Sequence, residues 1–364
     1  MAAKEITSYF ARVKDPRSTR NQHHPLNSLL GIMLLSALAG IDSFSGIGDY
    51  AQAYESELSE LFNLPYGAPS HDTFQRLFEA LDPDQFLISF IEFTQDLSKH
   101  SSDIVALDGK TVRNSGIKPL HIVSAWCEKN ELVLGQVKVS NKSNEITAIP
   151  KLLDMLNLHG VPITIDAMGC QRKIAQQIID KGGDYLLALK GNQRDLYEEV
   201  KLFFSQLNDF KGDTWEAYDK GHGRIERRCC YALDDIEWLK TTFNWPGLVS
   251  IAMVKSEVTI KRKSRSETRF YLYSKKADAE TLCRAARQHW GIENKLHWRL
   301  DVAFNEDKAC IRHDTSVENM NILRKWAMNA LSTHKGKGSI KSLQRKASMS
   351  WPIMTRILDT IFHA

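Results

Sequence analysis

Between residues 103 and 189 the chain passes through an order of short apolar runs that few folds accommodate. Three runs follow each other closely, at 104–107, 121–127 and 132–139, which is typical of an antiparallel meander. A helix that Thr147 can begin, and that tolerates Pro150 in its first turn, comes next. A strand at 161–165, a helix at about 171–181 and a strand at 185–189 complete the predicted order β-β-β-α-β-α-β.

This order predicts an α/β fold with a ribonuclease-H-like mixed sheet flanked by helices, rather than repeated βαβ units. Residues from 191 to about 275 depart from it, with strand-like runs at 225–231, 248–254 and 269–273, and they predict a β-rich insertion. A strong helix resumes at Asp278 and continues through Trp290 to Trp298. We therefore expect a main domain at 99–335 and a basic helical tail at 336–364.

Residues 1–98 predict a separate all-helical N-terminal domain, because helical patterns alternate there with Pro and Gly punctuation. Residues 1–100 carry 7 Lys and Arg against 13 Asp and Glu, whereas residues 101–364 carry 41 against 31. A helix-turn-helix DNA reader is an alternative for the first domain, but its acidity favours a role in packing or assembly. A polyanionic partner should instead meet the basic body of the chain.

Export and membrane insertion are not indicated. The longest apolar run, 26–40, is shorter than the roughly 20 residues that cross a bilayer, and the N-terminus lacks the apolar core of a signal peptide. The six cysteines form no CxxC pair and no spaced framework, so we expect them to be structural in a reducing compartment. The predicted location is the cytoplasm, in association with the nucleoid.

Three acidic residues stand at positions that the predicted fold brings together. Asp108 and Asp166 each close an apolar strand, and these two strands are neighbours in the predicted sheet; Glu293 lies on the helix after the insertion. Carboxylate oxygens are the ligands that Mg²⁺ and Mn²⁺ prefer, and two such ions support phosphoryl transfer. Taken singly, a strand-end Asp is more often a turn residue and a helical Glu a solvated one. The joint arrangement favours a metal site.

Several motifs, in order, then make the chain similar to a known family. It resembles the DDE transposases of the H-repeat-associated insertion-sequence family over nearly its whole length, in the following stretches: ALDGKT at 106–111, KSNEITAIP at 142–150, TIDAMGCQ at 164–171, LKGNQ at 189–193, HWGIENKLHW at 289–298, LDV at 300–302 and NED at 305–307. The resemblance implies a catalytic, metal-binding triad of Asp108, Asp166 and Glu293. It also implies two divalent ions, Mg²⁺ or Mn²⁺, and water or a DNA 3′-hydroxyl as the nucleophile. The substrate that it implies is double-stranded DNA, as the element's terminal inverted repeats and the target.

The chain departs from the broader group in one respect. That group carries a Tyr, an Arg and a Lys at minus seven, minus four and plus seven from the glutamate, where this sequence has Ala286, His289 and Leu300. The phosphate contacts of the missing Arg and Lys must therefore come from other residues. Candidates on the same helix are Arg287, Lys295 and Arg299.

A rival site is possible on the glutamate helix. His289, Glu293 and His297 follow an i, i+4, i+8 spacing that could hold Zn²⁺, although a zinc hydrolase would leave Asp108 and Asp166 unexplained. The two histidines are alternatively hydrogen-bond donors to phosphate or residues at the core edge. The nearby Asp301, Glu306 and Asp307 either support the site or cap and solvate the helix end.

Cationic and amide residues near the acidic triad predict the DNA contacts. These candidates are Lys110, Arg113, Lys190, Asn192, Arg224, Arg227, Arg228, Arg287, His289, Asn294, Lys295, His297 and the 261–265 cluster. The segment 321–364 adds Arg324, Lys325, Lys335, Lys337, Lys341, Arg345, Lys346 and Arg356 against a single Asp359. Any one lysine is as easily a solvated surface charge, and the clustered excess is what favours DNA.

The sequence thus predicts a DNA transposase that cuts at its element's ends and joins 3′ ends to target DNA. Because both ends must be cut and joined together, we expect a homodimer or a larger synaptic assembly. Two other hypotheses remain, a catalytically silent DNA-binding remnant and a stand-alone DNA nuclease. The nuclease should nick DNA with and without terminal repeats equally well.

Overall fold

The structure is a computed structural model of the 364-residue chain. It describes residues 2–20, 22–98, 103–113, 119–140, 143–206, 210–221, 223–261, 263–276, 278–334 and 338–363. Among these residues no helix is long and apolar enough to cross a membrane. Lys142, Arg262, Lys335 and Lys337, which belong to the predicted motifs and clusters, lie outside the described residues.

Six helices build the N-terminal region, as predicted. They are α1 (Ala2–Tyr9), α2 (Leu26–Leu38), α3 (Phe44–Ala53), α4 (Glu55–Phe62), α5 (His71–Ala80) and α6 (Pro83–Leu97). Local signals set their ends: Ser43 accepts a hydrogen bond from Gly46 N–H at the start of α3, and Asp82 caps α6 with Pro83 in its first turn. Helix α2 is buried along nearly its whole length, which explains the apolar run.

The next five strands appear in the predicted order. They are β1 (Val105–Val112), β2 (Leu120–Cys127), β3 (Leu132–Lys138), β4 (Pro162–Ile165) and β5 (Asp184–Leu189), with α7 (Glu145–Met155) and α8 (Arg172–Asp180) between the last three. They lie in the order β3-β2-β1-β4-β5. Strands β1, β2 and β3 pair antiparallel, whereas β1, β4 and β5 pair parallel. Helix α7 begins at Glu145, two residues before the predicted Thr147.

The predicted β-rich insertion extends this same sheet. After α9 (Arg194–Ser205) come β6 (Asp213–Gly221), β7 (Arg224–Leu233), α10 (Glu237–Phe243), β8 (Ser250–Ile260) and β9 (Lys263–Tyr273). Strand β9 pairs antiparallel with β5, and β8, β7 and β6 follow outward, so that the nine described strands form one mixed sheet. The outer halves of β8 and β9 are exposed, and they form an arm beyond the core.

The C-terminal helices return to the N-terminal ones. They are α11 (Ala279–His289), a π-helical segment (Ile292–His297), α12 (Trp298–Ala303), α13 (Asp314–Thr333), α14 (Ile340–Met349) and α15 (Trp351–His363). Helix α13 packs against α2, α5, α6 and the sheet, and one apolar core joins all of these elements. The N-terminal and C-terminal helices therefore stabilise each other and cover one face of the sheet, while α7 and α8 pack into a second core on the other face.

Candidate active site

Asp108 and Asp166 occupy equivalent positions on two neighbouring strands. Leu107 of β1 is the register partner of Ile165 of β4, and each aspartate is the next residue along its strand direction. The prediction that Asp108 closes its strand is wrong, because β1 continues to Val112 through its pairing with β2. Only β4 ends at this level, so the edge of β1 beyond Leu107 is left open on the β4 side.

A tight turn fixes Asp166. Its Oδ1 accepts hydrogen bonds from the backbone N–H groups of Met168 and Gly169, at 3.0 and 3.3 Å. The turn is supported by the segment just after β5, because the Asn192 side-chain amide donates to the Ala167 carbonyl at 2.6 Å. Asn192 was predicted as a DNA contact; its amide nitrogen also serves the local fold.

Glu293 approaches the same place from the π-helical segment, with an exposed side chain. Asp108, by contrast, has a side chain only 17% exposed. Burial raises the pKa of Asp108 to about 7, against a hydrogen bond from the Gly109 N–H, and the charges of Asp166, Glu293 and Glu145 raise it further. Asp166 and Glu293 are therefore close enough to Asp108 for their charges to act on it.

Proximity is not yet coordination. In the described part of the chain no three His, Cys, Asp or Glu side chains converge tightly enough to hold a metal ion, and this includes the predicted triad. The donor set still fits a divalent cation, because a buried carboxylate whose ionised form is disfavoured by its acidic neighbours is relieved by a nearby positive charge.

The two histidines on either side of Glu293 lie beside strands β4 and β1. The hydroxyl of Thr164 on β4 lies 3.0 Å from His289 Nδ1, and His297 Nδ1 lies 3.8 Å from Asp108 Oδ2. Burial lowers the pKa of His289 to about 4 and that of His297 to about 3, so both rings are neutral at pH 7. They form no metal-binding group with Glu293 among the described residues, which the rival zinc site would need.

Lys110, predicted as a DNA contact, is a buried ion-pair partner instead. Its ammonium lies 2.7 Å from Glu306 Oε2 and also pairs with Asp301, and its side chain is only 12% exposed. Glu306 is fully buried and accepts a further hydrogen bond from Asn321 of α13 at 2.6 Å. Asp301 and Glu306 thus anchor the strand that carries Asp108 to the C-terminal helices.

Two more predicted surface cations are buried. Arg324 and Lys325 of α13 are 3% and 2% exposed, so the prediction that they contribute to a basic DNA-binding surface is wrong. Lys325 Nζ donates to Ser124 Oγ at 2.8 Å and Gln136 Oε1 at 2.6 Å, on β2 and β3. Ser124 is the register partner of Asp108. Burial lowers the pKa of Lys325 to about 7.

A groove separates the outer sheet from the glutamate helix. One face of β7, β8 and β9 lines it on one side, and the last turn of α11 with the start of the π-helical segment lines the other. Its cationic and aromatic lining residues are Arg224, Arg228, Lys261, Lys263, Arg265, Arg269, Tyr271, Arg287, Trp290 and Lys295, and Glu128, Glu226 and Glu267 also line it. The Arg269 guanidinium stacks 4.3 Å from the centre of the Trp290 ring.

The groove adjoins the surroundings of one of the three carboxylates, Asp166. Arg269 also lines a second cavity together with Asp166, Lys190 and His289. The other predicted contacts differ in their surroundings. Arg113 is exposed beside Asp307, and Asn294 is exposed on the groove. Arg227 lies on the opposite face of the sheet and pairs with Glu216. Lys295 and Arg299 pair with the acidic side chains of the β2–β3 turn, Glu128 and Glu131.

Sequence reasoning did not identify two residues near the candidate site, Glu145 and Lys325. Glu145 was part of a motif but had no assigned role, and the Lys325 contacts depend on α13 crossing β2 and β3. Local sequence gives no signal for such burial. The one available hint for Glu145 was its place beside Asn144, which is the N-cap of α7.

Comparison with known proteins shows the family of the chain. Residues 99–330 match the family model described as the transposase DDE domain, and residues 7–94 match the DDE_Tnp_1-associated model. The chain is 36% identical over 372 residues to two Escherichia coli K12 proteins, "H repeat-associated putative transposase YhhI" and "Putative protein YbfL", covering 98% of each chain. The chain belongs to the DDE transposase family, in its H repeat-associated group.

Two further similarities extend the comparison. A Xanthobacter autotrophicus relative, "Uncharacterized protein in dhlA 3'region", is 40% identical over 278 residues, covering 74% of this chain and 94% of that protein. Among solved structures, a piggyBac transposase synaptic complex with hairpin DNA is similar at a TM-score of 0.42 and 12% identity, over 99% of this chain and 78% of that one.

Proposed function

We propose that this protein is a DNA transposase that cleaves the terminal inverted repeats of its insertion sequence and joins the freed 3′ ends to target DNA. The observation that carries the proposal is the equivalent placement of Asp108 and Asp166 on neighbouring parallel strands, with Glu293 in electrostatic range. The order β3-β2-β1-β4-β5 supports the finer assignment of a ribonuclease-H-like catalytic core.

Asp108, Asp166 and Glu293 would hold two divalent ions, Mg²⁺ or Mn²⁺. Bound there, the ions would activate the attacking oxygen and stabilise the leaving one. The chain contributes the fixed frame: the Met168 and Gly169 amides orient Asp166, and the strand pairing orients Asp108. The exposed Glu293 is free to follow the substrate strand.

The proposed reaction has two steps, cleavage and transfer. In cleavage, a water oxygen bonds to the phosphorus at the element end, the bond from phosphorus to the 3′ oxygen breaks, and the 3′ oxygen takes up a proton. In transfer, that 3′-hydroxyl loses its proton, its oxygen bonds to a target phosphorus, and the displaced target 3′ oxygen takes up a proton. The protein forms no covalent bond in either step.

The cationic groove is the proposed path of the double-stranded DNA. Arg224, Arg265 and Arg269 from the sheet, with Arg287 and Asn294 from the helix, would contact phosphates, and Lys190 would contact the strand nearest Asp166. Arg113, Asn192, His289, Lys295 and His297 remain proposed contacts; like Arg224 and Arg269, each already contacts a protein group. Such a protein acts at the nucleoid, in the cytoplasm, as a homodimer or larger synaptic assembly.

The experiment compares substrates. Purified protein with Mg²⁺ is given oligonucleotides that carry the element's ends, or the same composition scrambled, together with target plasmid. The proposal predicts nicking and joined products only with the element ends. Equal nicking of both substrates would identify a stand-alone nuclease, and metal-independent binding without cleavage would identify a silent remnant.

A further inference from the structure

The motif that contains Glu145 lies beside the triad without a role in the proposed chemistry. Glu145 is the first residue of α7, and its side chain is 14% exposed. Its Oε1 lies 2.8 Å from His121 Nε2 on β2. The helix therefore begins with a carboxylate that a strand residue holds in place.

Gly109 provides the space for this carboxylate. A Cβ atom added at Gly109 would lie 2.0 Å from Glu145 Oε1 and 3.0 Å from His121 Nε2. No side chain can occupy position 109 while Glu145 stays where it is. The carboxylate thus lies against the backbone of β1, one residue from Asp108, at the level where β4 has ended and the strand edge is open.

His121 is itself fixed at both ring nitrogens. Its Nδ1 lies 2.8 Å from the hydroxyl oxygen of Thr111. A carboxylate only accepts hydrogen bonds, so Nε2 donates to Glu145, while Nδ1 and the Thr111 hydroxyl form the second hydrogen bond of the ring. The series Thr111, His121, Glu145 sets the orientation of the carboxylate, as outer partners orient the ligands of metal sites.

We propose that Glu145 is a fourth acidic residue of the candidate active site, oriented by His121, and that it increases the affinity of the site for divalent cations. The inference rests on the proposed function. Hard cations keep several water ligands, and a carboxylate at the rim can bind them through such water or directly. Partners of this kind typically change metal affinity about 10-fold or more.

The test measures Mn²⁺ binding to the full-length protein without DNA, by calorimetry or by the signal of free Mn²⁺ in electron paramagnetic resonance. Glu145→Gln keeps the shape of the side chain and removes its charge. We expect a dissociation constant about tenfold higher, in the range of outer-partner effects. His121→Leu, which removes the orienting donor, should weaken binding in the same direction with Glu145 intact.

Asp154→Asn is the matched control. Asp154 lies on the same helix with a side chain 69% exposed, far along α7 from Gly109, so its loss should leave Mn²⁺ affinity unchanged. In DNA nicking, Glu145→Gln should raise the half-saturating Mn²⁺ concentration about tenfold and alter the saturated rate less.

Three outcomes separate the claims. Weakened Mn²⁺ binding in Glu145→Gln and His121→Leu, with unchanged melting temperatures, supports the inference. Unchanged binding in both variants, while Asp108→Asn weakens it, overturns the inference and leaves the proposed function standing. Unchanged binding in Asp108→Asn as well would contradict the proposed metal site itself.

Discussion

Asp108 and Asp166 each follow one member of the register pair Leu107–Ile165 on parallel strands β1 and β4. The first strand continues past this level and the second ends at it, so one carboxylate projects from a paired strand and the other from a turn. This combination gives Asp108 a buried setting and Asp166 a fixed one. The proposed chemistry depends on bringing such a pair to one divalent site.

The raised pKa of Asp108 makes stability depend on pH. A carboxyl whose pKa is about 7 in the folded protein and 3.8 in the unfolded chain binds protons more tightly when folded, so its contribution is full below pH 4 and is lost as the pH rises through 7. His289 and His297 have lowered pKa values and act in the opposite direction below pH 6.5.

The difference between the wild type and Asp108→Asn isolates the carboxyl. We expect the variant to gain stability relative to the wild type by roughly 1–4 kcal/mol between pH 4 and pH 7.5 without metal. Urea unfolding at several pH values measures this. A difference that stays constant with pH would show that Asp108 is not held in a buried, acidic setting.

We expect Lys110 to stabilise the folded protein. Lys110→Met leaves the fully buried Glu306 without its cation, which costs about 3–5 kcal/mol for a broken buried pair. Arg113→Met, three residues further along the chain, just past the end of β1, and with a side chain 82% exposed, should cost less than about 0.5 kcal/mol. Thermal and urea unfolding test the contrast. Similar stability of both variants would place Lys110 outside the buried network.

The groove makes a prediction about salt. Arg265 is exposed on the groove face of β9, whereas Arg227 lies on the opposite face of β7. Arg265→Ala should lower the salt slope of DNA binding by about one counterion, and Arg227→Ala should leave the slope unchanged. Fluorescence anisotropy from 50 to about 200 mM salt measures both. Equal salt slopes for the two variants would contradict the proposal that DNA binds in the groove.

The N-terminal helices should not be separable from the rest. Asn319 of α13 donates hydrogen bonds to the carbonyls of Phe78 and Leu81 at 3.0 and 2.9 Å, across the core that joins the two ends of the chain. Asn319→Ala leaves these carbonyls unpaired and should cost about 1–3 kcal/mol in one cooperative transition. Two unfolding transitions in calorimetry, of which Asn319→Ala shifts only one, would contradict a shared core.

Much of the architecture was predictable from local signals. The alternation of apolar runs with Gly and Pro fixes the order of strands and helices, and the strand after which Asp166 comes ends where the pattern ends. The full length of β1 was not predictable, because polar residues such as Lys110 and Thr111 hide a strand that continues through pairing with β2.

Burial of charge was the main source of wrong predictions. Lys110, Arg324 and Lys325 look like surface cations in the sequence. The groups that offset the cost of burying their charges lie on other elements, far away in the chain. The π-helical segment likewise cannot be seen in residue spacing, and it changes which side chains of the glutamate helix share a face. Both effects arise from packing between parts of the chain far apart in sequence.

The most direct test of the central claim is strand transfer with Mg²⁺ on oligonucleotides that bear the element ends. Asp108→Asn, Asp166→Asn and Glu293→Gln are compared with the wild type and with the control Asp154→Asn. We predict that each triad variant folds, binds the DNA and loses at least about 100-fold in joined product, since removing a group that stabilises the transition state typically costs about 100- to 1000-fold. Full activity in all three triad variants would contradict it.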